Sequence, residues 1–355
     1  MFWLSFLIPI AYIPSVTGYA LATGWAVMSA GLPIATWKGG AKMASPIPMW
    51  LAMAFTAYVI WSWTWVDNPD TAFSTIWQYA LLAGAFYAGS QLSNLRTVAI
   101  GLSLGFGISS LLAMAQALGL DWIVEYVPCR PSGLTFNPLI LGEGCALTIL
   151  LCLSYRLWWL AALLIPGLAL AQSRAAFLAL AVGLTLQYCR PQRGLWSLSC
   201  PLTWAALVTH DTADDFRWLV WKVLYHFLTF WGYGPGSIEA VLIRFQGNFY
   251  APAYAHNEFL DLAYQYGVGA TPAALLLLIP GTNASRAEWP CYIAFLVICA
   301  FSFPFHCPPL AFLGMVVAGC LCRDWDWAWI NGYLRRCRPE LQMVDARGSQ
   351  PRLAL

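Results

Sequence analysis

Apolar residues occupy most of the chain in runs of about 20, and short polar segments separate these runs from Phe2 to Leu321. Runs of that length match the hydrocarbon core of a bilayer, so each one predicts a membrane-spanning helix. The predicted spans are 2–16, 18–36, 48–66, 72–92, 97–118, 139–154, 157–172, 175–189, 196–209, 257–280, 289–303 and 306–322. We therefore expect an all-α integral membrane protein, with a single membrane domain at 1–322 and a cytoplasmic tail at 323–355.

Composition supports this fold class. Of the 355 residues, 60% are hydrophobic and only 10% are charged. Water-soluble globular proteins carry about 25% charged residues, so that class is excluded. The net charge of +2 favours no particular partner, and nothing in the sequence predicts binding to nucleic acid.

The basic residues orient the predicted spans. With both chain ends in the cytoplasm, five of the 18 Lys and Arg residues fall on the outer side, and the other thirteen fall inside. The five are Arg130, Arg174, Arg217, Lys222 and Arg244. Because cytoplasmic loops accumulate Lys and Arg, this bias supports the span count and the orientation together.

Two longer segments, about 119–138 and 210–256, then lie outside, and function is expected there. In the second, Phe216–Trp231 has the spacing of an amphipathic helix, which predicts a short helix on the outer membrane surface. Cys129 and Cys307 are the cysteines on the outer side, and whether they form a disulfide is left open, because sequence gives no distance between them.

Two arginines and a glycine-rich loop are candidates for binding an anion. Arg174 lies at the outer mouth between the seventh and eighth spans, where an anion partner is favoured and an interfacial arginine reaching toward water is the alternative. Arg217 begins the amphipathic segment, where a local ion pair is the alternative. Gly234 and Gly236 belong to a loop whose N–H groups could approach an anion, although a plain turn explains the glycines as well.

A candidate proton acceptor precedes the tenth predicted span. His256 stands before Asn257, which can cap the helix that follows. Imidazole accepts a proton near neutral pH, so His256 is a candidate general base. Glu258 and Asp261 share one helical face, and either is expected to orient the imidazole. The carboxylates on the outer side form no Asp-x-Asp motif, and no Walker loop or dinucleotide fingerprint is present, so neither a metal nor another cofactor is predicted.

These motifs, in this order, resemble the O-antigen ligase and O-antigen polymerase superfamily of bacterial envelope glycosyltransferases. The resemblance covers residues of about 130–310 and is carried by Arg130–Pro138, Ser173–Ala176, Arg217 with Trp221, Gly232–Ser237, His256–Leu260 and Phe303–Pro309. The order of these segments is more specific than any one of them.

The resemblance implies a transferase of the bacterial inner membrane with its active site facing the periplasm. It would move a glycan from undecaprenyl diphosphate to an acceptor hydroxyl, without a metal and with inversion. Arg174 and Arg217 would bind the diphosphate, and His256 would act as the base. Substrate contacts are expected from Arg130, Gly234, Gly236, Asn257 and Glu258. The outer segment is short for that family, so a partner protein could be needed to complete the acceptor site.

Several activities fit the same motifs. An O-antigen ligase, which transfers the glycan to lipid A-core, is slightly favoured because one histidine and two arginines follow the ligase order. A polymerase of repeat units and a pilin-type protein O-oligosaccharyltransferase remain alternatives within the superfamily. A transporter or flippase of lipid-linked glycans is the alternative from another class, although internal symmetry between the two halves of the chain, as such proteins show, is not detected.

Overall fold

The computed structural model describes residues 1–10, 28–29, 32, 46–66, 69–120, 130–135, 137–188, 212–252, 254–278 and 287–323. Within these residues the chain is predominantly helical. The helices are α1 (Phe2–Ile10), α2 (Pro46–Ser62), α3 (Pro69–Ser90), α4 (Arg96–Ala117), α5 (Pro138–Ser154), α6 (Trp158–Ala171), α7 (Arg174–Tyr188), α8 (Thr212–His226), α9 (Glu258–Leu278), α10 (Trp289–Phe301) and α11 (Pro308–Cys322). Two short antiparallel strands, β1 (Ile243–Phe245) and β2 (Asn248–Tyr250), form a hairpin with Ile243 opposite Tyr250.

The all-α class is confirmed, but the count of twelve spans is not. Among the described residues, only Arg96–Ala117 is both long enough and apolar enough to cross a membrane by length and composition. Five further apolar helices, α5, α6, α7, α10 and α11, have 10–17 residues. The predicted spans 18–36 and 196–209 lie almost entirely outside the described residues, as does the predicted tail beyond Arg323.

Small residues let the helices approach closely. Helix α4 packs against α1 and α6, α5 packs against α6 and α7, and α3 packs against α11. At the last of these contacts, a Cβ added to Gly89 or Gly319 would collide with the backbone of the opposite helix. Such close crossings at small residues are typical of helix packing in membranes. One large buried cluster runs through these helices, and it includes Phe86, Phe106 and Phe312.

The outer segment forms a second, smaller core. Val220 and Leu224 on α8 pack with Ile238, Ile243 and Tyr264. The predicted amphipathic helix is therefore present, with Trp218 and Tyr225 exposed on its other face. Its predicted end at Trp231 is wrong, because the helix ends at His226. The residues that follow pair with α9 instead of continuing α8.

Helix α9 is broken at Gly267, where φ is 82° and ψ is 157°. The break frees backbone carbonyls of the preceding turn, which must find other donors because buried carbonyls are rarely left unpaired. The N–H of Tyr233 donates to the Tyr264 carbonyl at 3.1 Å, and the N–H of Gly234 donates to the Gln265 carbonyl at 2.7 Å. The Tyr58 hydroxyl donates to the Tyr266 carbonyl at 2.9 Å. The glycine-rich loop is thereby fastened to the break in α9.

Candidate functional site

Three arginines from separate parts of the chain line one small cavity. Arg130 belongs to the predicted outer segment 119–138, Arg174 begins α7, and Arg217 lies on α8. The cavity has a volume of about 50 Å³. A single buried water needs about 10–15 Å³ of such space. The cavity therefore suits a group the size of a phosphate better than a sugar ring. Guanidinium groups bind phosphate and carboxylate oxygens through paired hydrogen bonds, so the cavity is a candidate anion site.

The turn between α6 and α7 positions the base of this cavity. Gln172 adopts a left-handed conformation with φ of 47°, and this reverses the chain after α6. The buried Ser173 caps α7, since its hydroxyl accepts a hydrogen bond from the N–H of Ala176 at 3.3 Å. The N-terminus of α7 therefore adds its partial positive charge to that of Arg174. Arg130 donates through Nε, at 3.2 Å, and through Nη2 to the Ala171 carbonyl at the end of α6.

Glu143 on α5 also lines the cavity. Its side chain is 1% exposed, and neither carboxylate oxygen has a hydrogen-bond partner in the described part of the chain. Gly142 allows α5 this close to the turn, because a Cβ there would lie 2.9 Å from Ala171 and 3.0 Å from Ser173. Arg217 interacts electrostatically with Glu143. Burying a carboxylate costs free energy unless a positive charge lies nearby. The arginines of the cavity supply that charge, so Glu143 belongs to the electrostatics of the site.

His256 lies next to the arginine cavity but is not one of its lining residues. Its ring packs edge-on against Phe303 with centroids 4.9 Å apart, and the preceding residue, Ser302, lines the cavity. Burial, and to a lesser extent the positive charge of Arg217, lowers the pKa of His256 to about 4. The imidazole is therefore neutral at pH 7, and it is a weaker base than an ordinary histidine. Its Nδ1 atom is buried and has no hydrogen-bond partner among the described residues.

The two carboxylates expected to orient His256 pair with other groups. Glu258 accepts a hydrogen bond from the Phe305 N–H at 2.5 Å, and Asp261 accepts from the Ala255 N–H at 3.3 Å. Both carboxylates are fully buried and face His306. The expectation that Glu258 or Asp261 holds the His256 imidazole is therefore corrected, because the contacts of both carboxylates within the described residues run to Ala255, Phe305 and His306.

Asn257 caps α9 as the sequence predicts. Its side-chain oxygen accepts a hydrogen bond from the N–H of Leu260 at 3.1 Å. This cap sets where α9 begins, and so it places His256 immediately before the helix. Asn257 also lines an open groove of about 510 Å³ next to the site, together with aromatic side chains of α8 that include Trp218, Trp221 and Tyr225.

Gly234 and Gly236 are not brought to the arginine cavity. Both have positive φ, of 89° and 77°, as the loop requires. Their N–H groups donate to Gln265, that of Gly234 to the backbone carbonyl and that of Gly236 to the side-chain oxygen at 2.7 Å. Those groups therefore hold the outer loop on α9 in this structure, where the sequence predicted anion contacts.

The predicted site residues thus separate into two groups. Arg130, Arg174 and Arg217 converge on one cavity, with His256 beside it. The sequence interpretation missed Glu143, although a carboxylate inside an apolar run is a recognisable signal of a functional site in a membrane protein. It also missed the pairing of Glu258 and Asp261 with His306, which had no signal because these residues are more than 40 positions apart. Cys307 carries a free, buried thiol, and Cys129 lies outside the described residues.

No protein-family profile matches the chain, and a search of curated proteins finds no similar sequence.

Proposed function

We propose that this protein is a membrane glycosyltransferase that moves a glycan from a polyprenyl diphosphate to an acceptor hydroxyl. The observation that carries the proposal is the cavity in which Arg130, Arg174 and Arg217 converge beside His256. A leaving diphosphate needs fixed positive charge nearby. An incoming hydroxyl needs a proton acceptor, and the two groups must lie at the same site.

The charge balance of the cavity supports a diphosphate diester as the anion. Three guanidinium groups line the cavity, and the buried Glu143 carboxyl adds at most one negative charge, so the net charge there lies between two and three positive. A diphosphate esterified at both ends carries one negative charge on each phosphate. Charge neutralisation in a buried site avoids the cost of an unpaired ion, so the cavity suits an anion with two negative charges, such as this diester.

The surface of the protein supports a membrane setting for this chemistry. Large apolar side chains stand exposed along several helices, including Trp3, Trp50, Phe73, Leu111 and Trp159. A water-soluble protein rarely exposes so many large apolar groups. We propose that these helices, with the segments outside the described residues, form the predicted bundle of about twelve spans in the bacterial inner membrane. The arginine cavity would then face the periplasm.

In the proposed reaction, the arginines hold the diphosphate and His256 faces the acceptor. His256 takes the proton of the acceptor hydroxyl as its oxygen bonds to the anomeric carbon. The bond from that carbon to the phosphate oxygen breaks, and polyprenyl diphosphate leaves with the bonding electrons. Attack opposite the leaving group inverts the anomeric centre. Each of these steps uses side chains alone.

Among acceptors we favour lipid A-core, as in an O-antigen ligase, because of the motif order. The test is transfer by the purified full-length protein in nanodiscs, with undecaprenyl-diphosphate glycan as donor and lipid A-core as acceptor, followed by mass spectrometry. Arg174→Ala and Arg217→Ala should lower the rate by about 10²–10³. His256→Ala should lower it by about 10²–10⁴.

Arg244→Ala is the matched control, because Arg244 is exposed on the β1–β2 hairpin and lies apart from the cavity. It should retain the wild-type rate. A wild-type rate for His256→Ala or for either cavity variant would contradict the assignment. Glycan chains lengthening with donor alone would identify a polymerase. Movement of donor across the bilayer with no covalent product would identify a transporter.

A further inference from the structure

A buried triad of Glu258, Asp261 and His306 lies beneath the site. The His306 Nε2 atom is 3.8 Å from Glu258 Oε2 and 3.7 Å from Asp261 Oδ2. Both carboxylates are fully buried, and His306 is 7% exposed. One atom from each side chain lies within 4.8 Å of the other two. The proposed transfer reaction does not use any of the three.

Two polar atoms of the triad lack a hydrogen-bond partner among the described residues. They are Glu258 Oε2 and His306 Nε2, which face each other across the triad. The buried hydroxyls of Tyr79 and Tyr266 pair with each other nearby, and Tyr79 interacts electrostatically with both carboxylates. Buried polar groups are nearly always satisfied, so the two unsatisfied atoms point to a bound species.

The donor set identifies the kind of species. Two carboxylates in a buried site carry excess negative charge, and an imidazole nitrogen offers a lone pair where it is unprotonated. Carboxylate oxygen and imidazole nitrogen together are ligands of Zn²⁺ and related divalent metals. We propose that Glu258, Asp261 and His306 bind a divalent transition metal ion of the Zn²⁺ type.

The spacing fits this assignment with small adjustments. Zinc binds these ligand atoms at about 2.0–2.2 Å, which places two ligands of a tetrahedral ion roughly 3.3–3.6 Å apart. The two distances from His306 are within a few tenths of an ångström of that spacing. A rotation of the two carboxylate groups would bring their oxygens the remaining distance to the ion. Hydrogen bonds from Ala255 and Phe305 to the carboxylates orient them from outside, as outer partners of metal ligands commonly do.

The ion would join two segments that carry the candidate site. Glu258 and Asp261 belong to the first turn of α9, directly after His256. His306 ends the turn Pro304–His306, directly after Ser302 and Phe303. A metal between them fixes the distance between His256 and the wall of the arginine cavity. Its role is structural, so the transfer chemistry proposed above remains free of metal.

The experiment measures metal in the purified full-length protein. Protein prepared without chelator should contain about one equivalent of Zn²⁺ or a similar ion by inductively coupled plasma mass spectrometry. Dialysis against a chelator should remove the ion and lower the midpoint of thermal unfolding, and added Zn²⁺ should restore both. Glu258→Gln, Asp261→Asn and His306→Gln each keep the side-chain size and should reduce bound metal at least about tenfold.

Controls distinguish this site from adventitious binding. His226→Gln changes an exposed histidine of the predicted outer segment, and it should leave the metal content unchanged. Where a triad variant fails to fold, Mn²⁺ exchanged into the wild-type protein should show coupling to one imidazole nitrogen in pulsed electron paramagnetic resonance.

Wild-type protein that holds no more metal than His306→Gln, and whose unfolding does not respond to Zn²⁺, would overturn the proposal. The triad would then be a proton-sharing ion pair. Transfer activity by metal-free protein with normal stability would also overturn it, and would leave the proposed function intact.

Discussion

Gly267→Ala should destabilise the protein strongly, because it adds a methyl group at the break in α9. Gly267 lies at φ 82° and ψ 157°, a region open essentially to glycine alone. A Cβ at this position would also collide with the backbone carbonyl of Phe230. Relief of that collision moves the outer loop away from the break in α9.

The cost has two parts. Forcing alanine into this conformation costs about 1–3 kcal/mol. Displacing the loop weakens the hydrogen bonds that Tyr233, Gly234 and Val268 make across the break, each contributing about 0.5–1.5 kcal/mol. Together these give roughly 3–5 kcal/mol. Unfolding entropy is about 2.1 cal/mol/K per residue, or roughly 0.75 kcal/mol/K for 355 residues, so the midpoint should fall by about 4–7 °C.

The assay is thermal unfolding of the nanodisc-embedded protein, followed by tryptophan fluorescence. Gly247→Ala is the matched control, since Gly247 has a similar φ of 86° but nothing within 4 Å of an added Cβ. The Gly247→Ala variant has only the free-energy cost of placing alanine at positive φ. Its unfolding midpoint should therefore shift by about 1–2 °C. Equal shifts for the two variants would refute the reasoning, because the contacts at the break would then contribute nothing.

Two further predictions concern the site itself. Asn257→Ala removes the cap of α9 and should lower the free energy of unfolding, measured by thermal unfolding, by about 0.5–2 kcal/mol. Asn257→Asp keeps the accepting oxygen and should preserve stability. An equal loss for both variants would contradict the capping role. Glu143→Gln keeps the size of a carboxyl whose charged form burial disfavours, so pyrophosphate should inhibit transfer by the variant and by the wild type equally well; clearly stronger inhibition of the variant would show that Glu143 carries a charge toward the anion.

Local features of the sequence predicted local features of the structure. The cap at Asn257 needs only a side chain and an N–H three residues away, so it can be read from the sequence. The described helices largely follow the apolar runs for the same reason. The distribution of Lys and Arg placed Arg174 and Arg217 on the same side of the membrane, and the family resemblance implied that both bind one diphosphate. In the structure both line one cavity.

Features that depend on distant pairing could not be predicted. Helix α8 ends at His226 because the following residues satisfy carbonyls exposed at Gly267, about 40 positions later. The apolar spacing of Phe216–Trp231 does not show that its last residues will pair with those carbonyls. The partner of Glu258 was misassigned for a related reason, since His256 is close in sequence while His306 is close in space.

The arginine cavity also has a consequence for how the protein is made. Its walls come from Arg130, Glu143, Arg174, Arg217 and Ser302, in that order along the chain. Ser302 leaves the ribosome roughly 170 residues after Arg130, about 10–30 s later at common synthesis rates. During that interval the Ala171 carbonyl, which Arg130 contacts in the finished protein, becomes available long before Arg217 or Ser302 exists. The contact between Arg130 and the α6 carbonyl can therefore form first, and the cavity acquires its third arginine only after more than half of the chain has been synthesised.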